Sequence, residues 1–595
     1  MVKQLLSGNE AIARGAYEAG CKVAAGYPGT PSTEILEVLS EFKDEVYCEW
    51  SPNEKVAFEV AVGASLAGAR AIATMKHVGL NVAADPLMTF ANMGAIGGFV
   101  ACVADDPGMH SSQNEQDTRH FARFAKVPLL EPADSQEAKD FLILAMEISE
   151  QFLTPVILRT TTRVSHSRSV VTLGERHDPK RIIGFQKDPS RFVAIPQFGR
   201  LMRDRAVERL PKLASAADVS PVNRIEWRDR KWGFIAAGIT YQYIREVFPE
   251  FSMLKLGWAY PFPDRLLREF AEGVEMVIVV EELDDFLEEH VRSLGIDCLG
   301  KEFVPRTGEL SVTQLLAARS KLEGRPLQVS LGVVEQPDLS DLPARPPVLC
   351  SGCPHRGLYY ALSKFDVVVT GDIGCYSLGT LKPLDSMDTL LCMGAGISMA
   401  HGMQKAGEPK KIVGIVGDST FFHSGITGLL DIGYNRGNVV IIVVDNRTTA
   451  MTGHQEHPGT GKTLMDQDTF QASIEAFGRA CGIPNVVTID PYDLEKAMAA
   501  IAEAIESDQS WLIVSSRPCP LHERKRLGPP REIDESFCKE CGSCFRLGCP
   551  ALEGGEEKPS VNPLLCAGCG LCQQVCKFGA VKINQETLSS LHPKP

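Results

Sequence analysis

Short apolar runs alternate with amphipathic stretches along the first 180 residues. SGNEAIARGAYEAG has apolar positions at helical spacing, with Ser7 placed to cap the helix and Glu10 to complete a capping box. CKVAAGYPGTPS predicts a strand entering a turn, and ARAIATM, GGFVACVADD and TPVILRTTT predict buried strands. Short apolar strands between helices predict a parallel sheet covered on both faces. Over 181–229 the pattern weakens into charged, proline-dotted sequence, which predicts a linker with a helix in it. From Trp232 the alternation resumes in KWGFIAAG, LKLGWAYPFP and EMVIVVEE, a second and smaller α/β unit spanning 230–345. A third α/β unit, 346–525, carries the strands FDVVVTGDIG, KKIVGIVGDS, NVVIIVVDN and SWLIVSSRP. A basic, proline-rich connector, RPCPLHERKRLGPPREIDES, leads into a cysteine-rich tail over 526–595.

The 595-residue length fits a prior of about four domains. A formal net charge of −14 argues against nucleic acid or an anionic membrane as the main partner. The start lacks a signal-peptide apolar core, and no apolar run reaches the length of about 18 residues that a membrane span needs. Without a secretory signal, the 18 cysteines point to a cytoplasmic protein with metal chemistry and not to a disulfide framework.

Eight of those cysteines lie in CKECGSCFRLGCP and CAGCGLCQQVCK. Each stretch has the C-x2-C-x2-C spacing that lets one loop wrap a cubane, and thiolates suit iron–sulfur clusters. In two-cluster ferredoxins the fourth cysteine ligates the other cluster. Cys538, Cys541, Cys544 and Cys576 are therefore assigned to one [4Fe–4S] cluster, and Cys566, Cys569, Cys572 and Cys549 to a second. Two zinc ions are the alternative for eight such ligands. Two departures stand out: Lys577 occupies the usual position of a second proline, and four residues instead of three separate Cys544 from Cys549.

In the third unit, VGIV ends in Gly417-Asp418-Ser419, and after 25 further residues a second apolar strand ends in Asp445-Asn446. This resembles the thiamine diphosphate motif, in which hard oxygen ligands at neighbouring strand ends hold Mg²⁺ and, through it, a diphosphate. A following helix N-terminus suits the same anion. The resemblance implies Asp418, Asn446 and the carbonyl of Thr448 as Mg²⁺ ligands, with Ser419 and Asp445 departing mildly from the motif. AMTGHQEHPGTG (450–461) resembles the loop that follows this motif in 2-oxoacid:ferredoxin oxidoreductases. GDIGCYSLG and MGAGISMAHG are glycine-rich turns after strands, so Gly374, Cys375 and Gly394 are candidates for close approach to the cofactor. CSGCPHRG reads as a cofactor-site loop, with Cys353, His355 and Arg356 near diphosphate or substrate. A structural role for His355 fits as well, and metal at Cys350 and Cys353 is the alternative, although no second C-x2-C lies nearby.

Thiamine enzymes use a glutamate beside the aminopyrimidine ring. SPNEKVAFEVAVGASLAGARA offers Glu54, with the spacing to Gly63 familiar from pyrimidine-binding domains, and Glu59 on the same helix competes. YPGTPSTE resembles the YPITPS segment of pyruvate:ferredoxin oxidoreductase, which implies that Thr30 meets a 2-oxoacid carboxylate. His110, Ser111, Ser112 and Gln113 in DPGMHSSQNEQDTR are candidate substrate-loop residues, and a plain surface loop is an equal reading.

Together YPGTPS, SPNEK, HSSQNEQD, CPHR and GDIGCY resemble the alpha subunits of the indolepyruvate:ferredoxin oxidoreductase family over nearly the whole chain. The resemblance implies a multidomain α/β protein: pyrimidine-binding domain (1–180), transketolase-C-like domain (230–345), diphosphate-binding domain (346–525) and two-cluster ferredoxin-like domain (526–595). It implies oxidative decarboxylation of aryl pyruvates with coenzyme A, Glu54 activating thiamine diphosphate. Electrons would pass from a thiamine enamine through two [4Fe–4S] clusters to ferredoxin. It also implies a smaller beta subunit, resembling the gamma domain of related enzymes, in a heterodimer or α2β2 assembly. Two other readings stay open: the same chemistry on pyruvate or a branched-chain 2-oxoacid, and an electron-transfer subunit without thiamine chemistry.

Overall fold

The computed structural model describes residues 2–177, 184–324, 347–523, 526–554 and 558–584. The domain boundaries expected at 180, 345 and 525 fall outside them. The chain divides into two compact units, Met1–Pro337 and Asp338–Pro595.

In the first unit, seven strands form a sheet in the order Trp258–Tyr260, Leu129–Leu130, Val156–Thr161, Phe99–Asp105, Ala71–Lys76, Val23–Gly26, Tyr47–Trp50. All neighbours are parallel except the antiparallel edge strand Trp258–Tyr260. The central strands are buried along their length, save the half-buried Lys76 that closes one of them, as a sheet covered on both faces requires. The first helix, Gly8–Glu18, starts on the expected capping box: the Ser7 hydroxyl accepts from the Glu10 N–H (3.2 Å), and the Glu10 carboxylate accepts from the Ser7 N–H (2.6 Å). Phe58, Phe90 and Phe99 meet under the sheet at centroid distances of 4.8–6.4 Å, each contributing about 1.5–3 kcal/mol by burial.

A second sheet of five strands follows, in the order Cys298–Leu299, Val277–Val280, Asp229–Ala237, Phe251–Leu256, Asn223–Glu226, with only the last antiparallel. The sequence LKLGWAYPFP, read as one strand, is divided at Gly257: its first half stays in this sheet and WAY crosses to edge the larger one. Residues 181–229 hold a helix, as expected, over Pro196–Val219, and also the outer strand Asn223–Glu226. A buried ion pair joins the two layers, Arg119 donating to Glu281 (2.5 Å) and to the Glu282 carbonyl (2.9 Å), and within the larger sheet Arg159 donates to Asp105 (2.7 Å) and Glu131 (2.6 Å). Breaking one partner of such pairs costs about 3–5 kcal/mol, because the other charge stays buried.

In the second unit, six strands form an all-parallel sheet in the order Thr389–Leu390, Val368–Gly371, Ile412–Gly417, Val440–Asp445, Trp511–Ser516, Asn485–Ile489. The cysteine tail is tied by two short antiparallel pairs, Arg531–Ile533 with Val581–Ile583 and Leu552–Glu553 with Ser560–Val561. Tyr492, Leu494, Leu547, Leu571 and Val575 form the apolar cluster that seats the tail on the sheet domain. Among the described residues no helix is long and apolar enough to cross a membrane.

Candidate functional site

Parallel sheets place ligand-binding groups beyond the carboxyl ends of their strands. In the first unit, those ends deliver Thr30 after Val23–Gly26, Glu54 after Tyr47–Trp50, Lys76 at the end of its strand, and Ser111 after Phe99–Asp105. Glu54 is 5% exposed at the first turn of helix Glu54–Leu66, behind Asn53, whose side chain caps the helix on the Val56 N–H. A Cβ on Gly79 would lie 2.5 Å from the Glu54 carboxylate, so that glycine makes room for it. Glu59 instead is exposed and pairs with Lys55. Thr30 and Ser111 come together: the Ser111 hydroxyl donates to the Thr30 carbonyl (3.1 Å). Asp106 fixes the loop by accepting from the Ser111 N–H (2.8 Å) and the Ser112 hydroxyl (2.6 Å). His110 does not join them. It is 53% exposed and faces Glu309 at 3.4 Å, held there by a loop whose polar anchor is Asp106.

Lys76 is a group that motif reading missed. Its ammonium donates to the Ser111 carbonyl (3.0 Å), and its chain packs on Gly29. Burial pushes its pKa down to about 8, although the nearby Asp106 and Glu54 carboxylates oppose the shift. The signal available in sequence was a lysine closing an apolar strand, ATMK.

In the second unit, Asp418 and Asn446 follow neighbouring strands, Ile412–Gly417 and Val440–Asp445. The Asp418 carboxylate accepts from the Ser419 N–H (2.9 Å) and the Arg447 N–H (2.7 Å), and lies 3.2 Å from His457 Nε2. The Ser419 hydroxyl accepts from Thr449 (3.0 Å), and Asn446 Oδ1 accepts from the Thr448 N–H (3.2 Å). Thr448 Oγ1 is buried with no partner among the described residues, and the Thr448 carbonyl accepts from the Ala450 N–H (2.9 Å). Burial pushes Asp418 up, but the His457 imidazole outweighs it and holds the carboxyl below its usual range. Burial and the Asp418 carboxylate push Asp445 up to about 6. A buried carboxylate beside a half-buried one, with an orphaned hydroxyl, is a donor set of hard oxygens that a divalent cation would satisfy.

Around them, Gly417 lies where a Cβ would strike the Tyr376 ring at 2.7 Å, and Gly394 has φ +84° with Ser424 at 2.6 Å from any added Cβ. Gly394 donates its N–H to Asp372 (2.9 Å), which also accepts from the Tyr376 hydroxyl; burial pushes Asp372 up to about 7. Gly374 precedes the turn Cys375–Thr380 that carries Tyr376. His355 is buried within the field of Asp418, edge-on to Tyr376 at 6.2 Å, and burial pushes it down to about 4. His457, Asp372 and Tyr376 lay inside quoted motifs, but nothing in their spacing set them apart.

The tail cysteines gather in two cavities. One is lined by Cys538, Cys541, Cys544 and Cys576. The other is lined by Cys549, Cys566, Cys569 and Cys572, together with Ser351 and Arg356. N–H groups point at sulfur, Arg531 to Cys566 (3.4 Å) and Glu540 to Cys538 (3.5 Å), the kind of hydrogen bond that tunes a cluster's potential.

Two further cysteines, Cys375 and Cys519, join the Cys350 and Cys353 pair, which sequence spacing had left without a second pair. Cys353 interacts electrostatically with Cys350 and Cys375, and Cys350 and Cys375 both interact with Cys519. The Cys519 N–H donates to the Asn446 carbonyl (3.0 Å), which ties this group to the Asp418 group. Cys375, expected on the diphosphate side, stands in the field of Asp418 as well as of these sulfurs, while Cys353, expected there too, stands among the sulfurs. Arg356, expected near diphosphate or substrate, instead directs its guanidinium at backbone carbonyls beside the tail.

Residues 14–207 match the pyruvate flavodoxin/ferredoxin oxidoreductase thiamine diphosphate-binding domain. Residues 372–515 match the C-terminal binding domain of thiamine pyrophosphate enzymes, and 559–582 a 4Fe-4S binding domain. The indolepyruvate oxidoreductase subunit IorA of Pyrococcus horikoshii is 42% identical, over 97% of this chain and 96% of its own. That of Archaeoglobus fulgidus is 41% identical, over 98% and 97%. The 2-oxoglutarate synthase subunit KorA of A. fulgidus is 27% identical over 47% of this chain and 88% of its own.

Proposed function

The chain belongs to the family of indolepyruvate oxidoreductase subunits IorA, and from that premise and the two groups of residues above we propose that it oxidatively decarboxylates aryl pyruvates such as indolepyruvate. Coenzyme A takes up the acyl group, and the electrons leave through iron–sulfur clusters to ferredoxin. The observation that carries this reading is the segment Cys350–Gly357. Its His355 stands in the field of Asp418, while its Ser351 and Arg356 line the cavity of Cys549, Cys566, Cys569 and Cys572. One loop thus links the diphosphate-side residues to a sulfur site, an arrangement without use in a non-oxidative decarboxylase.

Bound thiamine diphosphate supplies an electron sink for loss of CO₂ from a 2-oxoacid. Asp418, Asn446 and Thr448 would hold Mg²⁺ and so the diphosphate, and Gly374, Gly394, Gly417 and Ser419 leave its approach open. Glu54, buried at a helix start, would hold a proton against the aminopyrimidine nitrogen. Thr30, Ser111 and the Lys76 ammonium would orient the substrate carboxylate. Cys538, Cys541, Cys544 and Cys576 would ligate one [4Fe–4S] cluster, and Cys549, Cys566, Cys569 and Cys572 a second. Cys350, Cys353, Cys375 and Cys519 have the same all-thiolate donor set and would hold a third, next to the Asp418 group. A smaller beta subunit completes the enzyme, as a heterodimer or α2β2.

Turnover of indolepyruvate, phenylpyruvate and pyruvate, with coenzyme A, ferredoxin and the partner subunit, tests the substrate assignment. Aryl pyruvates should exceed pyruvate in kcat/KM by about tenfold or more; a preference for pyruvate would overturn it.

A further inference from the structure

Arg356 is 2% exposed, and among the described residues it pairs with no carboxylate. Its Nε donates to the Cys350 carbonyl (3.1 Å), one terminal nitrogen to the Leu547 carbonyl (2.8 Å) and to the Gly548 carbonyl, and the other to the Leu349 carbonyl. Carbonyls satisfy the N–H groups but leave the charge uncompensated, and a lone buried charge is expensive. Apart from His355, the ionisable groups that feel it are thiols: Cys549 and Cys569 of the second-cluster set, and Cys353 and Cys350 of the neighbouring set. Neutral thiols do not neutralise a guanidinium. Thiolates around an iron–sulfur cluster do, and the cluster gains one more negative charge on reduction.

The same guanidinium accounts for the long gap in CKECGSCFRLGCP. Ser543–Leu547 makes a 3₁₀ turn that ends on Gly548 at φ +60°. The extra residue lets Leu547 bury in the apolar cluster beneath the tail while both its carbonyl and that of Gly548 turn to Arg356. Cys549 follows at once, with its sulfur 3.8 Å from the Ser351 hydroxyl. A Cβ on Gly548 would sit 3.0 Å from Pro383 and 3.2 Å from the guanidinium, so a glycine there permits the grip.

We propose that Arg356 is the positioning residue of the second cluster: its buried positive charge is the cluster's counter-charge, raising its reduction potential, and its hydrogen bonds seat the crossing ligand Cys549. This rests on the assignment of a [4Fe–4S] cluster to Cys549, Cys566, Cys569 and Cys572. The test compares Arg356→Gln and Arg356→Lys in the complete enzyme by iron content and EPR-monitored redox titration. Absence in Cys569→Ala identifies the couple that belongs to the second cluster; if no couple and no iron are lost there, the cluster assignment itself fails. With that couple identified, Arg356→Gln should shift it negative by about tenfold in the reduced-to-oxidised ratio, 59 mV for one electron. Arg356→Lys, which keeps the charge but not the planar fork, should retain most of the wild-type potential. Loss of the cluster's iron in the glutamine variant alone also supports a need for the charge. An unchanged potential with full iron in Arg356→Gln, or equal loss of iron in both variants, overturns the proposal.

Discussion

Lys76 and Ser111 show what a single side chain contributes at the substrate end. The ordinary lysine value is 10.5, and burial lowers it to about 8 here. Lys76 is thus charged below about pH 8 and loses its proton above it, far sooner than a solvated lysine. If its ammonium holds the substrate carboxylate, KM for the 2-oxoacid should be flat below pH 8 and climb above it, approaching about tenfold per unit. Lys76→Met should raise KM at pH 7 by about 10–100-fold, the worth of one charge-assisted hydrogen bond, and abolish the climb. A wild-type KM that is flat to pH 10 would contradict the role. At this scale the sequence was legible where a motif names its residue. Glu54 and Glu59 share a helix, and spacing alone left them in competition; burial of the first and the Lys55 pair of the second separate them. Lys76 was not legible because no motif marks it and its proximity to Ser111 is created by the sheet.

At the scale of elements, the readable part was the pattern of apolar strands. Every strand quoted from sequence in the third unit exists and is parallel, and the capping box at Ser7 and Glu10 forms. What the pattern could not show is that the ends of Val368–Gly371, Ile412–Gly417, Val440–Asp445 and Trp511–Ser516 carry one constellation. Cys519 follows the last of these strands, far along the chain from Cys350, Cys353 and Cys375, and only sheet order brings it near them. Nor could alternation alone divide LKLGWAYPFP between two sheets. The convergence of these four cysteines makes a countable prediction. Three four-iron clusters give about twelve iron atoms per chain. Cys519→Ala should lower the content by about four while the tail clusters keep their EPR signals. Wild-type iron near eight, unchanged by the substitution, would exclude the third cluster.

At the scale of the whole molecule, the fold separates two tasks. One unit presents acid, lysine and hydroxyl groups at its strand ends. The other presents hard oxygens, glycine-lined turns and three sets of four cysteines. Oxidative decarboxylation of a 2-oxoacid needs both, since the electrons it releases must find a cluster. We propose that Glu54-dependent decarboxylation feeds the clusters of this chain. It is tested most directly by mixing the oxidised enzyme, complete with its partner subunit and thiamine diphosphate, with indolepyruvate and coenzyme A. Ferredoxin and oxygen are left out. CO₂ release and cluster reduction by EPR are then followed in one single-turnover experiment. The reduced-cluster signal should appear together with CO₂, and Glu54→Gln, with full iron content, should slow both by at least about 100-fold. CO₂ release without cluster reduction, or the same rates in Glu54→Gln, would contradict it.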